Sequence, residues 1–489
     1  MNHMDIEDIA NNVKIHNINK KSFHGIKITQ RRKPVNLDTS CGENYQIYAK
    51  TYGCSHNTSD CEYMMGLLEQ EGYRITHDIL KADLVLLNSC TVKNPSESAV
   101  FKVARQSLDR NQRIIISGCV PQSFSRKERQ EHPILQKVSF IGTRDIMSIS
   151  SVAEETLKGN TVHMVSKCSK NNLPSLNIPK IRRKAHVEII PINTGCLGAC
   201  TYCKTKLARG KLTSYPIKAI IERILECNSS TREIWLTSED TGAYGRDINT
   251  DIGELLREII KIAPHCNNIM FRLGMTNPPY ILEKLDEIAW FLNQPMVYKF
   301  LHIPVQSGNN MILKAMNREY TREEFERVCT YMMEKVPMIT IATDIICGFP
   351  GETQDQFNDS LSLIKKFKFP IVNISQFYPR NGTPAAKLPQ LPHNVKKSYS
   401  KQLDTLFHSY NPNSIMLGRC VRGYGYSLDD MIAHTNNHIK LIRWKYMWDS
   451  PFGWYFVTST CKWHLTVLPP EVILIIVLFN YFIIMNYII

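Results

Sequence analysis

The opening 44 residues of this 489-residue chain lack any apolar run that could serve as a secretory signal. An oxidising compartment is therefore not expected, nor are disulfides. The chain nonetheless has fifteen cysteines. In a reducing compartment, clustered cysteines read as metal ligands or catalytic thiols, and scattered ones as small buried hydrophobes. A phosphate loop is also missing: the glycine-rich GFPGE carries no phosphate-binding lysine, so nucleotide hydrolysis is unsupported. No repeat of solenoid period is present. Acidic residues are in deficit, with Asp+Glu 45 against Lys+Arg 59, a net +14. That balance favours a polyanionic partner such as RNA or an acidic membrane surface, the alternative being a solvated basic surface with no partner. Hydrophobic residues at 43% exclude wholesale disorder, and the length suits two to four domains.

The pattern along the chain divides it. Residues 1–44 read as a flexible basic leader. Residues 45–158 alternate strand and helix: YQIYAKTYGC, ADLVLLNSCTV, RIIISGCV and VSFIGTRD are strand candidates, and a helix is expected to start near Pro95. This predicts a doubly wound parallel sheet. Residues 159–184, rich in Ser, Asn, Pro and Lys, read as a linker. Across 185–415 the alternation resumes in six βα units, ending in strands such as REIWLTSED, KFLHIPVQSG and TIATDIICGFPGE. Six such units predict a full or partial barrel of parallel strands, with chemistry at the strands' C-terminal ends. Polar residues gather at those ends, among them Ser238, Glu239, Asp240, Arg272, Asn277, Gln306, Ser307, Asp344, Tyr378 and Arg380. After Pro469 and Pro470, the almost wholly apolar stretch 472–489 just reaches the length of a membrane-spanning helix. It reads as a tail anchor that keeps the rest cytosolic, with a buried strand pair or an aberrant gene end as the other readings.

Two groups of cysteines stand out. Cys54, Cys90 and Cys119 each end a strand candidate, on the sheet edge where open α/β folds bind ligands. They could hold an iron–sulfur cluster or be three independent core residues. Cys196, Cys200 and Cys203 form C-x3-C-x2-C after the first barrel strand. Three thiolates fill three iron corners of a cubane and leave one open to chelate a ligand. Zinc is the weaker reading, since structural zinc prefers four closed ligands in paired spacings. Cys41, Cys61, Cys168, Cys227, Cys266, Cys329, Cys347, Cys420 and Cys461 have no matched spacing and read as buried or incidental. His302 reads as a hydrogen-bonding residue of the barrel interior. Arg209 and Gly210, close behind the triad, read as backbone support or as a substrate phosphate contact.

C-x3-C-x2-C after the first strand of a βα barrel resembles the radical S-adenosylmethionine superfamily. The resemblance implies a 4Fe–4S cluster on Cys196, Cys200 and Cys203, with S-adenosylmethionine on the open iron and a 5′-deoxyadenosyl radical as the product of its cleavage. It also implies cofactor contacts from Tyr202, near the adenine, and from Ser238, Glu239 and Asp240, at the methionine amino group. Gln306 is grouped with these, and the FPGE turn is expected to shape the cofactor pocket. TYGCSHN, LNSCTV and SGC around Cys54, Cys90 and Cys119 are similar to the N-terminal domain of the methylthiotransferases, where the three cysteines hold a second 4Fe–4S cluster engaged in sulfur delivery. CTYCKTKLARG, LTSEDTGAYGRD, RLGMTNPPYI and QFYPRNGTPAAK are similar to the eukaryotic and archaeal branch acting on tRNA N6-threonylcarbamoyladenosine, over residues 45 to about 415.

That resemblance implies methylthiolation of carbon 2 of the modified adenosine beside the anticodon, with tRNA, an electron donor and a sulfur donor as partners. It also implies a location on the cytosolic face of the endoplasmic reticulum if the tail is an anchor, and in the cytoplasm otherwise. Isopentenyladenosine or a ribosomal protein as target, or a non-catalytic iron–sulfur protein, are the competing readings; TYGCSHN suits the threonylcarbamoyl branch better. The family's small C-terminal β-barrel of the TRAM kind is expected to be degenerate or absent here. Residues 418–446 keep a likeness to its start, and the stretch from Met447 to Pro470 does not. RNA binding would then rest on the basic leader, the linker and the barrel rim.

Overall fold

The structure, a computed structural model, describes residues 45–91, 94–167, 173–227, 230–266 and 269–410, together with the backbone of strands at 28–30, 420–427, 432–435, 440–442 and 454–457. The runs LVLLNS and RIIISG are apolar on both faces, so each needs cover on both sides. They form β4 (Leu84–Ser89) and β5 (Arg113–Gly118) at the centre of a sheet with β1 (Ile28–Gln30), β2 (Gln46–Thr51), β3 (Arg74–Thr76), β6 (Ser139–Ile141) and β7 (Thr161–Met164). Its order is β1-β7-β6-β5-β4-β2-β3. Every pairing is parallel except that of β1 with β7. Successive side chains of a strand point to opposite faces. Leu84 and Leu86 accordingly join one core with Ile47, Ile115 and Val152, while Val85 and Leu87 join another with Ile114, Ile116 and Val100. The doubly wound sheet expected from the sequence is present.

Two boundaries differ from expectation. β1 lies inside the stretch read as a leader, and β7 inside the stretch read as a linker. Beyond β7, Leu176 and Ile178 are buried in the cores of the barrel and the N-terminal sheet respectively. A three- or four-residue strand between polar residues has too little alternation to register as a strand; its pairing partner decides it.

The second half forms the partial barrel. β8 (Val187–Pro191), β11 (Glu233–Thr237) and β12 (Met270–Leu273) make one parallel ladder; β13 (Phe300–His302), β14 (Thr340–Cys347) and β15 (Ile371–Gln376) make another. Parallel bridges between Phe271 and Val297 and between Met275 and His302 join the two. Short strands β9 (Asn193–Thr194) and β10 (Thr213–Ser214) pair beside the first. Capping boxes on Thr321 and Thr353 start the outer helices Arg322–Lys335 and Gln354–Phe367. Helix His393–Ser409 closes the barrel edge, with Tyr399 stacked on Phe357 at 4.3 Å.

Within 416–468 the described backbone is a four-stranded antiparallel sheet of β16 (Cys420–Ser427), β17 (Ile432–Thr435), β18 (Lys440–Ile442) and β19 (Trp454–Val457), in the order β18-β17-β16-β19. β19 comes from the stretch with no likeness to the expected module. Among the described residues no helix is long and apolar enough to cross a membrane. Residues 472–489, Cys41, Cys168, Cys461 and most of 1–44 lie outside the described residues.

Candidate functional site

The C-x3-C-x2-C loop follows β9, and its entry is a glycine for a steric reason. Gly195 has φ of +79°, and a Cβ there would lie 2.3 Å from the Lys211 carbonyl oxygen. The loop is then pinned from three sides. Thr201 N donates to Met316 O at 3.0 Å, Asn317 Nδ2 to Ala199 O at 2.9 Å, and Ala385 N to Thr201 O at 2.9 Å. Tyr202 is buried against Met316, Phe349 and Phe377, edge-on to Phe349. Cys196, Cys200 and Cys203 keep partial exposure. They lie near enough to act on one another's ionisation, and burial pushes the Cys196 thiol up to about 12, with Asp240 and the other two cysteines adding to it.

A cation bonds this triad. Arg318 donates from Nη1 to Cys200 Sγ at 3.2 Å and from Nη2 to Asn277 Oδ1. Asn277 Nδ2 in turn donates to Asp240 Oδ2 at 2.7 Å. Asp240 has no exposed surface, and burial lifts its carboxyl to about 6 against the bonds from Asn277 and Gly242. A hydrogen-bonded chain thus runs Asp240–Asn277–Arg318–Cys200. Sequence reading singled out Asp240 but not Arg318, which stands 118 residues from Cys200 in a segment with no spacing signal. Gln306, at φ of +69°, bridges to Ile345 and donates its N–H to Asp344 O at 2.8 Å. Such a conformation is costly for a residue with a side chain and persists where the surroundings fix it. His302 Nε2 meets Asp344 Oδ1 at 2.8 Å.

The other triad ends three neighbouring strands. Cys54 stands just past β2, Cys90 past β4 and Cys119 past β5. Asn57, fully buried, sits among them: the thiols of Cys54 and Cys119 approach its Oδ1 at 3.4 and 3.6 Å, and its Nδ2 donates to Ser89 O at 2.7 Å. Gly53, at φ of +113°, leaves no room for a Cβ, which would lie 2.9 Å from Cys90 Sγ. Burial raises the Cys119 thiol to about 12 although Arg209 works the other way, and Cys54, which is exposed, is raised in the same direction. Such thiols release protons when a cation binds. Among the described residues no three His, Cys, Asp or Glu side chains gather round a point as a single ion requires. Three thiols at three strand ends are donors that the iron corners of a cubane would take one apiece.

The two triads are coupled across a buried seam. Helix Ser55–Gln70 follows Cys54 and turns His56, Asn57 and Asp60 toward the barrel. Arg209 pairs with Asp60 at 2.6 Å, lies 3.5 Å from Glu239 and donates to Asn57 Oδ1 at 2.9 Å. Its own backbone oxygen accepts from Arg144 Nη2 at 2.9 Å. Arg209 is 3% exposed and its guanidinium faces Asp60, Asn57 and Glu239, the surroundings of a supporting residue. Glu239 faces the same seam, with His56 Nδ1 at 2.9 Å and Gly195 N donating to its Oε2 at 2.9 Å. Burial opposes its charge, but His56 and Arg209 hold its carboxyl below the usual range. Of the SED segment, Ser238 and Asp240 therefore stay on the barrel side and Glu239 turns to the N-terminal sheet.

Between the sheets opens a cavity of about 480 Å³. Thr91, next to Cys90, and Lys204, next to Cys203, both line it, with Glu97, Phe101, Tyr378 and Arg380.

A family model described as "Radical SAM superfamily" matches residues 190–364, and one described as "Uncharacterized protein family UPF0004" matches residues 46–139. The threonylcarbamoyladenosine tRNA methylthiotransferase of Mus musculus is 51% identical over 378 residues, 76% of this chain and 64% of that protein. That of Xenopus laevis is 47% identical over 429 residues, 85% of this chain and 76% of its own length. The chain thus spans somewhat under two thirds of the mouse relative. Among solved structures, the radical S-adenosylmethionine methyltransferase TsrM from Kitasatospora setae, with tryptophan and an S-adenosylmethionine analogue bound, superposes with a TM-score of 0.52. The match covers 70% of this chain and 75% of that one at 12% identity, a likeness of fold.

Proposed function

The chain belongs to the threonylcarbamoyladenosine tRNA methylthiotransferase family, and from that premise we propose that it places a methylthio group on carbon 2 of threonylcarbamoyladenosine beside the tRNA anticodon. The observation that carries this reading is the pair of thiol triads, each at the C-terminal edge of its own parallel sheet and coupled through Arg209. Cys196, Cys200 and Cys203 would hold a 4Fe–4S cluster, and Cys54, Cys90 and Cys119 a second. The first would supply a radical from S-adenosylmethionine when bound, and the second would serve sulfur transfer. The carbon attacked is part of an aromatic ring and has no acidic proton, so acid–base groups alone would not activate it.

In this reading the chain's own residues position and exclude. Tyr202 and its aromatic neighbours keep water from the barrel triad. Arg318 supplies positive charge beside Cys200, where a thiolate ligand must be stabilised. Ser238, Asp240 and Gln306 are proposed to contact S-adenosylmethionine, and Glu239 to set the seam. Residues 45–158 form the proposed sulfur-handling unit and 185–415 the radical unit. The basic residues of 1–44 and 159–184 are proposed to meet RNA. The apolar stretch 472–489 is proposed as a membrane contact.

Anaerobic reconstitution of the full chain with iron, sulfide, S-adenosylmethionine and a reductant, followed by mass spectrometry of tRNA nucleosides, tests the reading. The 2-methylthio form of threonylcarbamoyladenosine and free 5′-deoxyadenosine are expected. Formation of neither, in protein carrying its full iron, overturns it; appearance of 2-methylthio-isopentenyladenosine instead reassigns the substrate.

A further inference from the structure

Lys204 is a cation that the site described above leaves unused. It retains 4% of its exposure and follows directly on Cys203. Among the described residues its amine has no hydrogen-bond or ion-pair partner; it stands over the Phe124 ring at 4.7 Å. A largely buried ammonium with no bonded acid is costly, and a ring face offsets only part of that cost. Glu128 is committed to capping Ser125, at 2.7 Å to its N–H. Glu131, at the rim, lies 3.8 Å from Lys127. That leaves Glu97 as the acid facing Lys204 and Arg380. Arg380 spends one donor on Tyr202 O at 3.3 Å, and its guanidinium also lines the cavity.

We propose that the cavity of Lys204, Arg380 and Glu97 receives the threonylcarbamoyl side chain of the substrate nucleoside, with the two cations taking its carboxylate. This rests on the function proposed above. The ligand chemistry matches the wall: a carboxylate for the cations, and a hydroxyl and ureido N–H that Glu97 can accept from. Placement matches as well. The cavity touches the residue after Cys90, the residue after Cys203 and the end of β15, so an N6 substituent seated there holds its base between the two triads. Tyr378, 39% exposed, stands at the rim as a surface on which a base can stack. An apolar isopentenyl group in the same place would leave Lys204 unpaired. The cavity therefore selects by rejecting neutral substituents as much as by attracting the anionic one.

The test uses the reconstituted full chain and two anticodon stem–loop RNAs, one with threonylcarbamoyladenosine and one with its carboxamide analogue. Dissociation constants and kcat/KM for methylthiolation are read as the ratio between the two RNAs, so a general loss of activity in a variant cancels. The wild type is expected to favour the carboxylate by about tenfold or more, the scale of one charge-assisted hydrogen bond. Lys204→Met should cut that preference to roughly threefold or less, Arg380→Gln should reduce it further in combination, and Lys204→Arg should restore part of it. A preference undiminished in both variants overturns the assignment of these residues. A wild type that methylthiolates both RNAs equally overturns recognition of the carboxylate while sparing the proposed activity. Modification of neither RNA overturns both.

Discussion

Gly53 shows how much one residue can decide. Its φ of +113° lies where side chains are rarely found, and an added Cβ would meet Cys90 Cβ at 2.5 Å. Gly53→Ala must therefore move Cys90 or its own backbone, and either change spoils the spacing of the N-terminal triad. Each cubane holds four irons, so under the proposed two-cluster reading the reconstituted variant is expected to carry about four irons per chain and the wild type about eight. Cleavage of S-adenosylmethionine by the barrel half should persist. Colorimetric iron and 5′-deoxyadenosine assays read the two effects separately, and a full iron complement in the variant would contradict the placement of Cys90. At this scale the cysteines were legible, because spacing and strand ends mark them. Asn57, Arg318 and Lys204 were not. Nothing local ties Arg318 to a sulfur 118 residues away, and a lysine after a cysteine reads like any other until its burial is known.

Among the elements, long buried strands were readable and short ones were not. β4, β5 and β14 are apolar runs of six to eight residues; β3 and β7 have three and four residues and acquire their structure from a neighbour. The turn after β14 has a bond of its own beside its packing on Tyr202 through Phe349. Glu352 of the FPGE segment folds back, accepting from Gly348 N at 2.7 Å, and is 2% exposed. Its carboxyl thus shapes its own turn, and burial pushes it from 4.5 to about 7. Between those values the folded chain keeps a proton that the unfolded chain releases, so stability falls as pH rises from 4.5 through 7 and is flat beyond. The interval between 4.5 and about 7 corresponds to roughly 3 kcal/mol. Glu352→Gln keeps an acceptor for Gly348 and removes the titration. Urea midpoints at pH 5 and pH 8 should show the loss in the wild type and a smaller one in the variant, which should be the more stable of the two at pH 8. Parallel pH profiles would place the titrating group elsewhere.

At the scale of the whole molecule, both parallel sheets could be foreseen and the way they meet could not. Alternating apolar runs announce each sheet, whereas the seam depends on charges far apart in the chain: Asp60, Arg209 and Glu239 meet only after both halves have folded. Helix Ser55–Gln70 reads as unremarkably polar for the same reason. Its His56, Asn57, Asp60 and Glu62 are buried because one side covers the sheet and the other meets the barrel and the segment leading into it, where Ser59 donates to Ile189 O at 3.1 Å and Glu62 pairs with Lys180 at 3.3 Å. Removing the shared cation strands the acids rather than merely deleting a contact. Arg209→Gln leaves Asp60 and Glu239 buried without it, a loss of about 3–5 kcal/mol for a broken buried pair. Both cores remain intact in the variant, so the damage should fall on their coupling. Unfolding of the variant in urea, followed by protease susceptibility with the cut sites in 45–158 and in 185–415 read separately by mass spectrometry, is expected to separate into two transitions where the wild type shows one. Coincident transitions at an unchanged midpoint would mean that the apolar part of the seam couples the halves without Arg209.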